Sequence, residues 1–409
     1  MKDQVRIVSN TALSDSKILS PCHGNREKLL DAARSIRQLI IDQALAIEAE
    51  GTLTQPVVDA LRRTGLFWML VPRDLGGSGV SLTDAIEIIE EISAADGSVG
   101  WSLMANSTST AIAASFCGDG AMGPMFGGDE PAIVAGMFGP GGTSIETADG
   151  LIAGGRFTFG SGCAHATWIS AGMFVQEDGI PRLLVNGAPE VRVCFFPIDR
   201  VRLAGNWDVI GLSGTGSYDY EIPEQFVDFD FTMERGMVDP LRGGSVFSLG
   251  AGAFACAGHG AVVLGLMQRA LSEVAALAMQ KKRPGYATVI GDHPVFRDAF
   301  SRWEAQYHAT RGYFLKVFED AQETAARSET LSPEQRARFR QSTTWLHEVA
   351  AELVRFCYTW SGSASIRANS ILGRCLRDVS VATQHVFVDR ITLADAAPTI
   401  LTSWSKRTP

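Results

Sequence analysis

The chain is predicted to be an α+β protein in which a strand-rich segment separates two helical ones. Two observations carry this. Over about residues 24–125 and 240–395, apolar residues recur every three or four positions, the period of a helix with one buried face. Over about 130–235 they alternate with polar or small residues, the period of a strand. The order predicts a flexible N-terminus (1–24), an α-helical domain (25–128), a central antiparallel β domain (129–236) and a C-terminal four-helix bundle (237–409).

The elements follow in order. Asn25 is placed to cap a helix with the stripe Leu29, Leu30, Ala33, Ile36, Ile40, Ala44 and Ile47. Thr54-Gln55-Pro56 opens a second helix through Leu61. Val71 to Gly79 breaks the period and reads as a loop. Helix resumes through Ile92, stops at Ala95-Asp96-Gly97-Ser98, and restarts into Trp101 to Phe116. Strands are expected around Ile152 to Phe159, Ile169 to Gln176, Arg182 to Val185, Val191 to Phe195 and Tyr218 to Ile222, with a turn at Glu177-Asp178-Gly179. Long helices are expected over 244–279, 295–325, 333–360 and 371–395.

The totals exclude several functions. At 409 residues the chain exceeds one simple core. A net charge of -9 with no basic run argues against nucleic acid or an anionic membrane as main partner. The seven cysteines, Cys22, Cys117, Cys163, Cys194, Cys256, Cys357 and Cys375, form no C-x-x-C pair, so free thiols and a cytoplasmic location are expected. The seven histidines show no ligand spacing, and no metal site is expected. Residues 1–20 lack the apolar core of a secretory signal. Phe247 to Met267 comes nearest to a membrane span, but its Gly and Ala, with Cys256 and His259, suit a tightly packed helix.

The stretch Arg377 to Asp389 reads as one helix, on which His385 and Asp389 stand at i and i+4 and can touch. A carboxylate there would fix the imidazole tautomer and raise its basicity, making a proton acceptor. Spacing alone favours a buried structural histidine beside a surface Asp.

The helix–strand–helix order, with Val71-Pro72-Arg73-Asp74-Leu75-Gly76-Gly77 and Asp96 to Trp101, resembles the acyl-CoA dehydrogenase fold over about residues 25–397. The resemblance implies a flavin between β domain and bundle and a homotetramer. Dehydrogenases of that family need a Glu base, usually nine residues after the Arg of the terminal Arg-Asp pair. Here that position is Val386, and Val238 to Ser272, which holds the alternative site, contains no Glu. A second branch, the two-component flavin-dependent monooxygenases, fits better. Leu372-Gly373-Arg374-Cys375-Leu376-Arg377-Asp378 is similar to its terminal pattern, with His385 eight residues after Arg377 and Asp389 four further.

This branch implies reduced FMN or FAD with O2 as cosubstrate, a separate NAD(P)H-flavin reductase, and a small aromatic substrate of phenol or indole type. It casts His385 as base, Asp389 as its orienting partner, and Ser161 beside the reactive edge of the flavin. Phe159, Gly160, Ser161, Gly162, Met137, Thr215 and Ser217 become cofactor-binding residues, and Trp101, Asn106 and His385 substrate-binding ones. His165 is expected to be structural. A dehydrogenase, a nitrogen or sulfur oxidase, and a non-catalytic flavin-fold binding protein are the alternatives on the same fold.

Overall fold

The computed structural model describes residues 25–407. The expectations for residues 1–24, Cys22 included, lie outside these. The first helices are α1 (Arg26–Glu50), α2 (Gln55–Arg63), α3 (Leu82–Ala95), α4 (Gly97–Phe116) and α5 (Asp119–Phe126). Asn25 accepts the N–H of Lys28 at 3.0 Å, and α1 ends at Gly51 in the left-handed region. Ser81 and Asp84 form a capping box on α3. Asp96 is extended, so it ends α3 and turns the chain into α4. The loop before α3 holds one tight helical turn, Arg73–Leu75.

The strands are β1 (Val134–Glu146), β2 (Gly150–Gly160), β3 (Trp168–Glu177), β4 (Ile180–Pro181), β5 (Val191–Pro197), β6 (Arg202–Leu203), β7 (Tyr218–Asp228) and β8 (Thr232–Glu234). They form one sheet in the order β6-β7-β2-β1-β3-β5-β8, with β4 paired to β3. The sheet is not wholly antiparallel, because β1 and β3 run parallel. Arg182 to Val185 makes only an isolated bridge, Leu183 to Pro189, since the chain turns at Asn186-Gly187. Phe157 and Tyr220 stack at 5.0 Å inside the sheet's own small core.

The closing helices are α6 (Ala251–Ala278), α7 (Pro294–Ala326), α8 (Pro333–Ser361), α9 (Ile371–Ala382) and α10 (Ile391–Ser405). Of these, α6 to α9 share one continuous apolar core with α1 to α5. α6 is long and apolar enough to cross a membrane by length and composition, but most of it is buried against other helices. Its glycines set the spacing. A Cβ on Gly265 would lie 2.5 Å from the Glu90 carbonyl oxygen, and one on Gly258 2.3 Å from the Met104 side chain. Glycine therefore lets α6 press against α3 and α4, which delivers His259 to the site below.

The helix expected over 371–395 is two helices. α9 stops at Ala382, and the chain passes through extended His385 and a tight turn at Val386–Val388 before α10. Ser380 and Thr383 bond their hydroxyls to the carbonyls of Leu376 and Ser380, the local competition that makes such residues weak helix formers.

Candidate active site

The site is assembled from α4, the β2–β3 loop, the loop before β7, α6, and the segment between α9 and α10. Asp96 Oδ1 accepts the N–H groups of Ser98 and Val99, fixing the start of α4 and the direction of Trp101 one turn on. Trp101 is buried, and its Nε1–H donates to Ser161 Oγ at 3.1 Å.

Ser161 lies where β2 gives out. Phe159 is left-handed at φ 62°, unusual for a residue with a side chain, and its ring is 58% exposed against the edge of Trp207. Gly162 is also left-handed at φ 74°, and a Cβ there would lie 2.3 Å from Asn106 Oδ1. Gly162 donates its N–H to the Thr215 carbonyl at 2.9 Å, tying this loop to the next one. A run of hydroxyls results: Ser161 Oγ is 2.8 Å from Ser217 Oγ, and Ser217 Oγ is 2.7 Å from Thr215 Oγ1.

The loop carrying Thr215 and Ser217 is fastened to α9. Leu212 donates its N–H to Asp378 Oδ1 at 2.7 Å, and Gly214 donates to Ser98 Oγ at 3.1 Å. A Cβ on Gly211 would stand 2.2 Å from the Arg377 carbonyl oxygen, so only glycine fits that crossing. Arg377 pairs with Glu48, and Arg374 bridges Glu48 and Asp96. The terminal Arg-Asp pair is thus a clamp between bundle and β domain. Burial beside Asp96 pushes the Asp378 carboxyl up to about 7. A cavity of about 210 Å³ borders Asp96, Arg374 and Asp378, away from Ser161 and His385.

The other wall of the site is imidazole. His259 of α6 meets the Trp101 ring edge-on at 4.9 Å, and its centroid is 4.1 Å from that of His385. His385 meets Trp101 at 6.0 Å and stacks on Phe387 at 5.5 Å, with rings 10° apart. Burial and the neighbouring histidines push His385 down to about 2, and burial pushes His259 down to about 4. Both rings are therefore neutral. No carboxylate lies among the groups that move them.

Two expectations are corrected here. Asp389 does not touch His385, because no helix joins them: Asp389 is exposed, and its Oδ1 accepts the Ile391 N–H at 2.9 Å. His385 Nδ1 instead accepts the N–H of Phe387 at 3.3 Å. The neutral ring then carries its proton on Nε2, so His385 presents a donor rather than the base expected of it. Asn106 does not face a substrate either. It is fully buried, with Nδ2 donating to the Val134 carbonyl at 3.1 Å and Oδ1 2.9 Å from His165 Nε2. The two residues brace the β2–β3 loop, and burial holds His165 neutral, down to about 3.

The remaining residues fit a flat ring with polar edges. β1 is irregular at Met137 to Gly142, where its pairing with β3 shifts twice. Met137 and Phe138 are half-buried there, and Tyr220 Oη receives the Met137 N–H at 2.8 Å. Backbone at Met137 and Gly160, the exposed Phe159 ring and the hydroxyl run together offer apolar faces and short donors. His259 escaped sequence reasoning, which used it only as a polar break in an apolar helix. Its isolation as the one imidazole in the small-residue run from Ala251 to Met267 was the available signal.

The chain matches the family descriptions "Acyl-CoA dehydrogenase, N-terminal domain" over residues 25–118 and "Acyl-CoA dehydrogenase, C-terminal domain" over 257–390. It is 28% identical to an indole-3-acetate monooxygenase of Pseudomonas putida, over 90% of this chain and 91% of that one. The HsaA monooxygenase of Mycobacterium tuberculosis has the same fold, with a TM-score of 0.85 at 20% identity over 93% of this chain and 98% of that one. So does TdsC of Paenibacillus, solved with FMN and indole, with a TM-score of 0.76 at 20% identity over 93% and 98%. The terminal clamp, the serine at the end of β2 and the histidine after α9 join these matches in one conclusion: this chain belongs to the acyl-CoA dehydrogenase family, in its flavin-dependent monooxygenase branch.

Proposed function

We propose that the chain is the oxygenase component of a two-component system, hydroxylating a small aromatic substrate of phenol or indole type. The observation that carries this is Trp101, which bonds to Ser161 on one side and packs on His385 and His259 on the other. A planar substrate held by these rings lies beside the hydroxyl run. The indole-3-acetate monooxygenase of Pseudomonas putida and the indole bound in TdsC point to the same class.

Reduced flavin from a separate reductase would supply the two electrons that split O2, one oxygen atom going to the substrate and the other to water. Ser161, Ser217 and Thr215 would hold the polar edge of the flavin, with Met137 and Phe159 against its faces. Trp101, Phe387 and the two neutral imidazoles line the substrate side and keep it poor in water, which protects the reactive oxygen from loss as peroxide. His385 Nε2–H donates to a substrate oxygen. A dehydrogenase would need a carboxylate at this site, and Val386, at the family's usual position, is 69% exposed and turned to solvent.

The test supplies reduced FMN or FAD from an unrelated reductase with NADH, under labelled O2. Phenol or indole should yield a product with one labelled oxygen, and without an aromatic the oxygen should be recovered as hydrogen peroxide. Bleaching of bound flavin by an acyl-CoA, with no label in any aromatic, would reject the reading.

A further inference from the structure

We propose that His259 is a catalytic residue, the group that takes the proton from the ring O–H or N–H of the substrate. The inference rests on the hydroxylase reading above and assigns the base within it. His259 is 6% exposed, and its Nδ1 lies 2.7 Å from the Ala255 carbonyl oxygen. A carbonyl only accepts, so Nδ1 carries the hydrogen and Nε2 is a lone pair. Among the described residues no hydrogen bond reaches that lone pair, and the ring packs between Trp101 at 4.9 Å and His385 at 4.1 Å. A buried imidazole with an unmet acceptor among aromatic rings is a costly arrangement unless a ligand fills it.

The neighbours exclude the other candidates. His385 accepts at Nδ1 and so offers only a hydrogen at Nε2. His347 of α8 has the same tautomer as His259, bonded to the Thr343 carbonyl at 2.8 Å, but its Nε2 is enclosed without a partner. Asp389 faces away. Cys256 lies one turn before His259, and Arg340 of α8 is the charged group that acts on that thiol. Arg340 lies over Phe387 and donates to the Val386 carbonyl, fastening the His385 turn from outside.

A phenol oxygen can therefore give its hydrogen to His259 Nε2 and accept one from His385 Nε2. The O–H bond breaks, its electron pair moves into the ring, and an N–H bond forms on His259. In the same step the ring carbon bonds to one oxygen atom derived from O2 while the O–O bond breaks, the other oxygen leaving as water and the two electrons coming from the reduced flavin that the reductase supplies. An imidazole this weakly basic is a poor acceptor at rest, but the ring proton becomes strongly acidic as that carbon–oxygen bond forms, so transfer coincides with attack. The imidazolium returns its proton to the ring oxygen when the ring C–H proton leaves to water and aromaticity is restored. An indole N–H would use the same acceptor.

The test compares the parent protein with His259→Asn, whose amide can keep the bond to Ala255, and with His259→Gln. Phenol hydroxylation per reduced flavin is measured from pH 7 to 9. At pH 7 both variants should lose about a hundredfold while still binding reduced flavin and releasing hydrogen peroxide. Their loss should shrink about tenfold per pH unit toward the phenol's own pKa near 10, because solvent ionisation replaces the missing acceptor. The parent should stay flat over that range. Equal loss at pH 7 and 9, or full activity in either variant, overturns the assignment and leaves the hydroxylase reading intact. Failure of the parent to hydroxylate phenol or indole at any pH overturns both.

Discussion

The indole of Trp101 donates to Ser161 Oγ at 3.1 Å, joining a helix of the first zone to the end of a strand 60 residues later. Ser161→Ala would leave that buried N–H unpartnered and remove one neighbour from Ser217 Oγ. An unmet buried donor costs about 1–3 kcal/mol. Anaerobic titration should show reduced flavin bound roughly tenfold more weakly, with more oxygen lost as peroxide. Trp101→Phe keeps the ring and should cost less than Ser161→Ala. Unchanged affinity and unchanged coupling in Ser161→Ala would remove Ser161 from the cofactor site.

Asp378 gives a second prediction, about assembly rather than chemistry. Asp378→Ala loses the bond to Leu212, and about 1–3 kcal/mol of stability should go with it. Asp378→Asn keeps an acceptor for Leu212 and removes a buried carboxylate held near Asp96. The folded carboxyl titrates near 7 against an ordinary 3.8, so its contribution is lost as pH rises through that window. Asn should therefore lead the parent modestly at pH 5, inside that window, and by more at pH 8. Melting curves at both values decide it, and equal destabilisation by Ala and Asn would refute the clamp.

The order of elements was legible because periodicity of 3.6 against 2 survives in long segments. What failed was local. The helix through His385 looked continuous because Val379, Ala382, Val386 and Val388 keep an apolar rhythm, while the side-chain bonds of Ser380 and Thr383 that help end it carry no periodic signal. Asp389 was misplaced by that same error. Asn106 was assigned to substrate from its helix, but whether an amide faces a cavity or a carbonyl depends on the β2–β3 loop it braces, more than 50 residues away. The turn at Ser161-Gly162 was legible as a break in the strand, since glycine beside a short hydroxyl leaves a mark in sequence. The pairing of β1 with β3 was not, because parallel neighbours separated by a hairpin partner share no turn signal.

The buried histidines predict acid sensitivity. His165, His259, His347 and His385 titrate at about 3, 4, 3 and 2 in the folded chain against an ordinary 6.5. All are neutral in both states above that value, so they contribute no slope there. As pH falls below about 6.5 the unfolded chain takes up protons that the folded chain refuses, and stability drops toward pH 4. Asp378 and Asp96, both shifted upward, work in the opposite direction and offset part of the loss. Each uncompensated proton gives about 1.4 kcal/mol per pH unit. Denaturant curves at pH 7 and 5 should show the drop, and His347→Gln should lose less between them than the parent. A parent equally stable at both would mean these rings are not neutral and enclosed.

Asp389→Ala separates the observed geometry from the arrangement expected from spacing. If the carboxylate oriented His385, its removal would cost a large fraction of hydroxylation and shift the pH profile. In the structure it faces solvent and holds only the Ile391 N–H at the start of α10. Loss of such a cap costs about 1 kcal/mol or less at an exposed position. Hydroxylation by Asp389→Ala should stay within about twofold of the parent, given a cost that small, whereas Phe387→Ala, which removes the ring stacked on His385, should weaken substrate binding more. Substrate titrations of both variants against the parent decide between the two arrangements. A collapse of activity in Asp389→Ala with the melting temperature preserved would restore the histidine–aspartate pair and remove the donor role given to His385 Nε2.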